Sequence, residues 1–322
     1  ARVECHVIEP KPQRLAAEMA SFAWLNELPV GSTSQYAQWC VFRLAKETGV
    51  TVLLDGQGAD EVLGGYEQYF RNYIRSRVQA GDALIAFEEE PAIRRRYPEA
   101  MSDKLQVLKL RAPFAFKRAV AHLIQRGSDF RFGLSADAAA ALAAPVEGES
   151  TLTLFDALRE DAFHAHLPTL LRYGDRNSMA HSREVRLPFC DHRLAEFAFA
   201  LPPGYLMGGA ETKRLLRNAM KDVLPEGIRT RWNKQGFLPP QERWFADGLI
   251  DLARDTVESE VFRSRGYWDQ RWWRQMIKRL SKGEGHLAWP LWKPLIAEAW
   301  QTHFVDAVNR RPRFAVFQRT GG

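Results

Sequence analysis

The stretch VLLDGQGADEVLGGY, residues 52–66, decides the fold class. It completes the apolar run VTVLL, residues 50–54, which has strand length and the continuous character of a strand covered on both faces. A loop with two glycines follows, and the helical pattern then resumes with Asp60 and Glu61 in its first turn, where carboxylates suit the positive end of the helix dipole. Upstream, residues 2–8 alternate as a short strand. Residues 11–25 and 34–49 have helical periodicity, the second with Tyr36, Cys40 and Leu44 on one face and Gly49 just past its end. Strand, two helices, strand, glycine loop and helix is the order of a parallel α/β sheet, whose ligands sit beyond the carboxyl ends of the strands. The loop after Leu54 occupies that position.

Glycine loops often cradle phosphates through backbone N–H groups, yet Asp55, Asp60 and Glu61 carry like charge to a phosphate. Two readings remain open on the residues alone. One is a strand-to-helix turn with dipole-matched acids. The other is a phosphate site completed by Mg²⁺, which takes one or two carboxylates plus phosphate oxygens.

The rest of the chain bounds the choice. It has 322 residues, 46% hydrophobic and 26% charged, enough length for one large domain or two ordinary ones. No apolar run approaches the roughly 20 residues a spanning helix needs, so no membrane role is expected. The net charge of +6 is spread through mixed-sign stretches such as KRLLRNAMKD, unlike the concentrated basic face of a nucleic-acid binder. Three cysteines, Cys5, Cys40 and Cys190, form no CxxC or Cys/His cluster, which points to free thiols and a reducing, cytoplasmic setting. The first residue is Ala1 and no signal-peptide pattern precedes the alternating ARVECHVIEP, so the chain reads as a piece of something longer.

Residues 82–150 are helical in pattern and carry no chemistry; SADAAAALAAPVEGES reads as a helix end and connector. Beyond them, periodicity breaks at Pro168, which suits the first position of a new helix. On that helix Arg172, Asp175, Arg176 and Met179 share a face. Further helices are expected over 193–201, with Leu194, Phe197, Ala198 and Leu201 as core stripe, and over 212–223, with Leu215, Leu216, Ala219 and Val223. Six of the ten tryptophans lie between 268 and 300, and at helical spacing such aromatics form core more readily than stacking platforms.

Two further stretches could carry chemistry. In RTRWNKQGFLPP, residues 229–240, Arg229, Arg231 and Lys234 read either as a solvated basic loop or as a cationic clamp on pyrophosphate. In the span 172–191, Asp175, Arg176, Glu184, Arg186 and Asp191 alternate in sign, a pattern that mostly reflects mutual pairing. No HExxH or GxSxG occurs, which removes zinc-protease and α/β-hydrolase readings.

Taken in order, VLLDGQGADEVLGGYEQY, LLRYGDRNSMAHSREVRLPFCDHRLAEF, ETKRLLRNAM and RWNKQGFLPP closely resemble the synthetase domain of the glutamine-hydrolysing asparagine synthetases. ELPVGSTSQYAQ (27–38) and LWKPLIAEAW fit the same pattern, so the resemblance runs from about residue 1 to 304 and is weakest over 82–150. It implies an α/β fold: a parallel-sheet ATP-pyrophosphatase core, like the adenine nucleotide α-hydrolases and incomplete at its N-terminus, with a large, mainly helical C-terminal part. The segments would be 1–80 for the remaining nucleotide core, 81–150 variable and helical, 151–304 helical synthetase part, and 305–322 a tail.

By the same resemblance the parent protein is a carbon–nitrogen ligase using ATP and Mg²⁺. It would adenylate the side-chain carboxylate of aspartate, release pyrophosphate, and let ammonia from glutamine displace AMP. Carried over residue by residue, Leu54, Asp55, Gly56, Gln57 and Gly58 line the nucleotide and acyl-adenylate, and Asp60 holds Mg²⁺. Lys234 neutralises pyrophosphate, Gln57 orients the attacking nitrogen, and Asp175 and Arg176 shape the aspartate site. The ammonia would come from an N-terminal glutaminase domain not in this chain, and a homodimer is one possible assembly. No nucleic-acid or membrane partner is implied.

Two departures matter. The Ser-Gly-Gly-x-Asp-Ser pyrophosphatase loop of the family is absent from these 322 residues, as is the glutaminase cysteine, so this chain alone is not expected to form the adenylate. Gln57 stands where the well-known family members carry Glu; a carboxylate there could accept a proton from the nitrogen, whereas an amide can only orient it. That leaves a second reading open, a relative that amidates or cyclises another carboxylate, and a third from a different class, a non-catalytic degenerate scaffold.

Overall fold

The computed structural model describes residues 3–100, 133–141, 152–233 and 236–310. Helix α1 spans Pro12–Asn26 and α2 Ser34–Glu47; strand β1 is Val52–Leu54, followed by α3, Ala59–Leu63. Next come α4, Tyr69–Gln79, α5, Ala83–Arg96, and α6, Ala136–Ala141. Helices α7, Leu154–Phe163, and α8, His166–Met179, lead into strand β2, Glu184–Arg186. The remainder is helical: α9 His192–Ala200, α10 Pro203–Leu206, α11 Arg214–Ala219, α12 Glu226–Arg229 and α13 Gln241–Trp244. A π turn at Phe245–Leu249 joins α13 to α14, Ile250–Glu258, and then α15 Glu260–Ser264, α16 Gln270–Leu280, α17 Ala288–Trp300 and α18 Asp306–Arg310 follow.

β1 and β2 pair in parallel, Val52 opposite Glu184 and Leu54 opposite Arg186. The α/β character of the described residues rests on this small parallel pair within a mainly helical molecule. Two expectations at the strand level change. Residues 3–10 form no strand, and Val3 and Val7 lie exposed, because alternation makes a strand only where a partner edge receives it. β1 is not covered on both faces: Leu54 is 76% exposed, since β2 supplies a ladder neighbour but nothing described packs over that side chain.

Apolar burial organises two cores. The larger gathers Leu15, Phe22, Tyr36, Trp39, Trp273 and Trp292 with their neighbours from α1, α2 and the helices after 241; the smaller gathers Leu63, Phe70, Tyr73, Ile93, Leu158 and Met207. α8 bridges them, packing on α2 and on α7. It also grips the turn after α1: Arg172 donates to Asn26 O at 3.0 Å, the Gly31 N–H donates to Tyr173 Oη at 3.0 Å, and Asn177 donates to Gln35 O at 3.1 Å. α8 begins two residues before Pro168, which still falls where helical N–H groups have no intrahelical acceptor. α7 opens on a capping box in which Thr153 and Asp156 satisfy each other's backbone N–H.

Between 268 and 300 the tryptophans serve the core as expected, Trp273 and Trp292 fully buried and Trp268 and Trp272 packed against it, while Trp289 is 45% exposed. Elsewhere the buried helical stripes are narrower than periodicity suggests. Phe197 is 55% exposed and Val223, beyond the end of α11, is 72% exposed. In α9 the burial falls on Ala198, flanked by Leu194, Ala195 and Phe199, which sets the inward face one residue round from Phe197. The three cysteines are free, and of the tail, 306–310 is helical and tied by Arg265 to Asp306 at 2.6 Å, while 311–322 lie outside the described residues.

His181, 8% exposed and edge-on to Trp39 with ring centroids 4.6 Å apart, couples this core to pH. Burial, then the cations Arg43, Lys46 and Arg183 against the opposing Glu18, push its pKa down to about 4. The unfolded chain therefore takes up the proton first, and stability present above the ordinary histidine pKa drains away as pH falls through the interval down to about 4. Urea unfolding should show a loss of about 2 kcal/mol between roughly pH 7.5 and pH 5 that His181→Gln flattens.

Candidate active site

The loop after β1 is wedged against the segment that follows β2. The ladder extends one step, the Asp55 N–H donating to Arg186 O at 3.0 Å. Gly58 takes a left-handed φ of 92°, and a Cβ there would press on Cys190 Sγ at 2.7 Å and on the Phe189 backbone. The Cys190 thiol donates to Gln57 O at 3.5 Å. Burial, then the charges of Glu61 and Asp55, raises the pKa of this thiol, so it is a proton donor to the loop and not a nucleophile. Gly58 is buried, Asp55 and Gln57 are half-buried, and Gly56 and Leu54 face solvent. These five residues form one continuous rim at the carboxyl end of β1.

Asp60 and Glu61 diverge from there. Glu61, read from the sequence as a helix-start charge, is 1% exposed: the Tyr66 hydroxyl donates to its Oε1 at 2.6 Å, and His166 Nδ1 lies 3.6 Å away at the start of α8. Burial and this carboxylate hold the Tyr66 hydroxyl far above the usual tyrosine range. Asp60 instead faces a cleft of about 220 Å³ that Lys213, Arg217, Arg229, Arg231 and Trp232 also line. Lys213 Nζ stands 3.0 Å from Asp60 Oδ1.

The cationic side of the cleft is braced from behind. Arg217 donates through Nε to Thr212 O at 2.7 Å and through a second nitrogen to Arg229 O, while Arg229 makes two bonds to Glu226. Arg96 stacks over the Trp232 ring at 5.8 Å, with Tyr97 edge-on to the same ring at 6.0 Å. The arrangement offers one carboxylate against several fixed cations, a surface suited to a polyanion and able to share a divalent cation with it.

Of the residues singled out from sequence, Leu54, Asp55, Gly56, Gln57 and Gly58 form the rim after β1, while Asp60 lines the cleft, where Arg229 and Arg231 meet it. Lys234 lies outside the described residues. Asp175 and Arg176 stand elsewhere: Arg176 pairs with Glu27 at 2.8 Å and with Asp175 at 3.8 Å, an ion-pair setting beside the turn after α1. The alternating charges of 184–193 also largely serve one another, Arg186 with Glu184 and Arg193 with Asp191. Sequence reasoning passed over Lys213 and Arg217. Their segment, ETKRLLRNAM, stood out only as part of a pattern, and nothing in it shows which cation reaches Asp60.

For magnesium the fit is limited but real. Among the described residues no group of three or more His, Cys, Asp or Glu side chains could cage a metal. A single carboxylate is nevertheless the kind of protein donor that Mg²⁺ uses when phosphate oxygens supply most of its shell. No helix among the described residues is long and apolar enough to cross a membrane.

Comparison with known proteins bears on the whole chain. Residues 1–302 match the family described as asparagine synthase. A Mycobacterium tuberculosis protein provisionally named a glutamine-hydrolysing asparagine synthetase is 28% identical over 314 residues, 90% of this chain and 45% of its own length. Asparagine synthetase [glutamine-hydrolyzing] 1 of Bacillus subtilis is 21% identical over 330 residues, 95% of this chain and 50% of the relative. Amidase chry2 of Gibberella zeae is 22% identical over 298 residues, 83% of this chain and 44% of the relative. The chain thus spans about half the length of the curated relatives it matches.

Proposed function

Since the chain belongs to the asparagine synthase family, we propose that it is the synthetase part of a longer ATP-dependent carbon–nitrogen ligase that makes asparagine from aspartate. The aspartate side-chain carboxylate attacks the α-phosphorus of ATP, pyrophosphate leaves, and ammonia adds to the acyl carbon of the adenylate to expel AMP. Ammonia would be drawn from glutamine by an N-terminal glutaminase domain, in the cytoplasm, with a homodimer as one possible assembly.

The observation that carries this reading is the cleft in which Asp60, in the first turn of the helix that follows a parallel strand, meets Lys213 and arginines of which Arg217 and Arg229 are braced. A carboxylate is a poor electrophile until AMP is attached to it, and that step expels pyrophosphate, whose developing charge a preorganised cationic wall neutralises without reorganising during reaction. Lys213, Arg217, Arg229 and Arg231 would receive pyrophosphate together with Lys234. Leu54, Asp55, Gly56, Gln57 and Gly58 would border the nucleotide and acyl-adenylate, and the Cys190 thiol would steady the Gln57 carbonyl. Asp60 would share Mg²⁺ with phosphate oxygens, the ion supplying charge neutralisation when bound. Asp175 and Arg176, outside the Asp60 cleft, would shape the aspartate pocket.

A second reading keeps the adenylation and changes the acceptor carboxylate. Gln57 favours it, because its amide has no proton-accepting oxyanion to offer the incoming nitrogen. In the full-length protein, aspartate should stimulate release of AMP and pyrophosphate from ATP. Absence of that stimulation would overturn aspartate as acceptor and leave the second reading.

A further inference from the structure

The cleft carboxylate already has a cation. Lys213 and Asp60 pair at 3.0 Å with side chains only 26% and 23% exposed, yet both line the open cleft. Several features show that the fold builds this pair. Lys213 adopts a left-handed backbone, φ 51°, which non-glycine residues seldom take, and its N–H donates to Gly64 O at 3.2 Å. Gly65 forms the bed beneath: a Cβ there would fall on the Asp60 carboxylate and against the Lys213 stem. Arg217 and Arg229, in the same cleft, are engaged with backbone carbonyls and Glu226, whereas Lys213 presents its ammonium to Asp60.

Resting on the nucleotide reading above, we propose that Asp60 and Lys213 exchange partners when the cleft fills. The carboxylate passes from the ammonium to a divalent cation, and the ammonium passes to a phosphate oxygen of the pyrophosphate group. The reason is electrostatic. Mg²⁺ arriving alone must displace an ammonium that then trades its carboxylate for water alone, and pyrophosphate arriving alone meets a carboxylate of its own sign. When both arrive, each charge of the pair finds an opposite partner. Cation and pyrophosphate should therefore bind with positive coupling, and by linkage each should strengthen the other equally. The resting pair also sets an ammonium beside Asp60 in a partly desolvated cleft.

The test is calorimetric titration of the full-length protein with MgCl2 alone, with sodium pyrophosphate in EDTA, and with both. Asp60→Asn frees Lys213 and removes the repelling charge, so it should bind metal-free pyrophosphate about tenfold tighter than wild type. Lys213→Met removes the ammonium that competes with a metal for Asp60, so it should bind Mg²⁺ alone about tenfold tighter while binding magnesium pyrophosphate more weakly. Both variants gain affinity for one ligand, which a damaged fold does not produce, and either gain by itself supports the exchange if the other variant fails to fold. Wild type that binds magnesium pyrophosphate, with no gain in either variant, would overturn the exchange and leave the nucleotide site standing. No binding of magnesium pyrophosphate by wild type or variants would overturn the site as well.

Discussion

Asp60→Ala in the full-length protein is expected to lower kcat/KM for ATP by about 10²–10³-fold, the scale seen when one preorganised electrostatic group is removed from a reacting centre. The substitution takes away the carboxylate that faces the arginine wall and leaves Lys213, 26% exposed, without the partner it now holds at 3.0 Å. Because the cleft is open and the ammonium can reach water, the melting temperature should fall by only a few degrees. Pyrophosphate release followed beside thermal unfolding separates the two effects. A variant that keeps wild-type turnover would remove Asp60, and with it the proposed metal contact, from the mechanism.

Trp273→Ala should act in the opposite way, costing about 3–5 kcal/mol of stability as a large buried aromatic is replaced by a cavity. Trp273 is fully buried among Phe262 at 5.2 Å, Trp268 at 5.7 Å and Trp272 at 6.2 Å between ring centroids, all in near edge-to-face contact. Urea unfolding measures the loss. Below its transition the variant should bind magnesium pyrophosphate as wild type does, since these rings belong to the larger core and not to the Asp60 cleft. Unchanged stability with lost nucleotide binding would instead make the tryptophan cluster a stacking surface.

Local physics made much of the molecule readable in advance. The helices over 12–26 and 34–47, the strand ending at Leu54 and the glycine loop entering a helix all follow from periodicity, strand-length apolar runs and the left-handed tolerance of glycine. The stripes at Phe197 and Val223 failed because periodicity gives the angle of an apolar face without saying which neighbour, if any, comes to cover it. The strand over 2–8 failed for a related reason: a ladder needs a second edge, and alternation in one segment does not supply it.

The sequence by itself determined the family pattern, the parallel strand–loop–helix unit at 52–63, and the candidate rim from Leu54 to Asp60, because these are contiguous and their geometry is written in neighbouring residues. Only the tertiary structure decided that adjacent acids part company, Glu61 into the core beneath Tyr66 and Asp60 into the cleft. It alone decided that Lys213, more than 150 positions away, is the cation Asp60 meets. Such pairing depends on left-handed backbone at Lys213 and on the absent side chain at Gly65, features whose effect appears only when two distant segments are brought into contact.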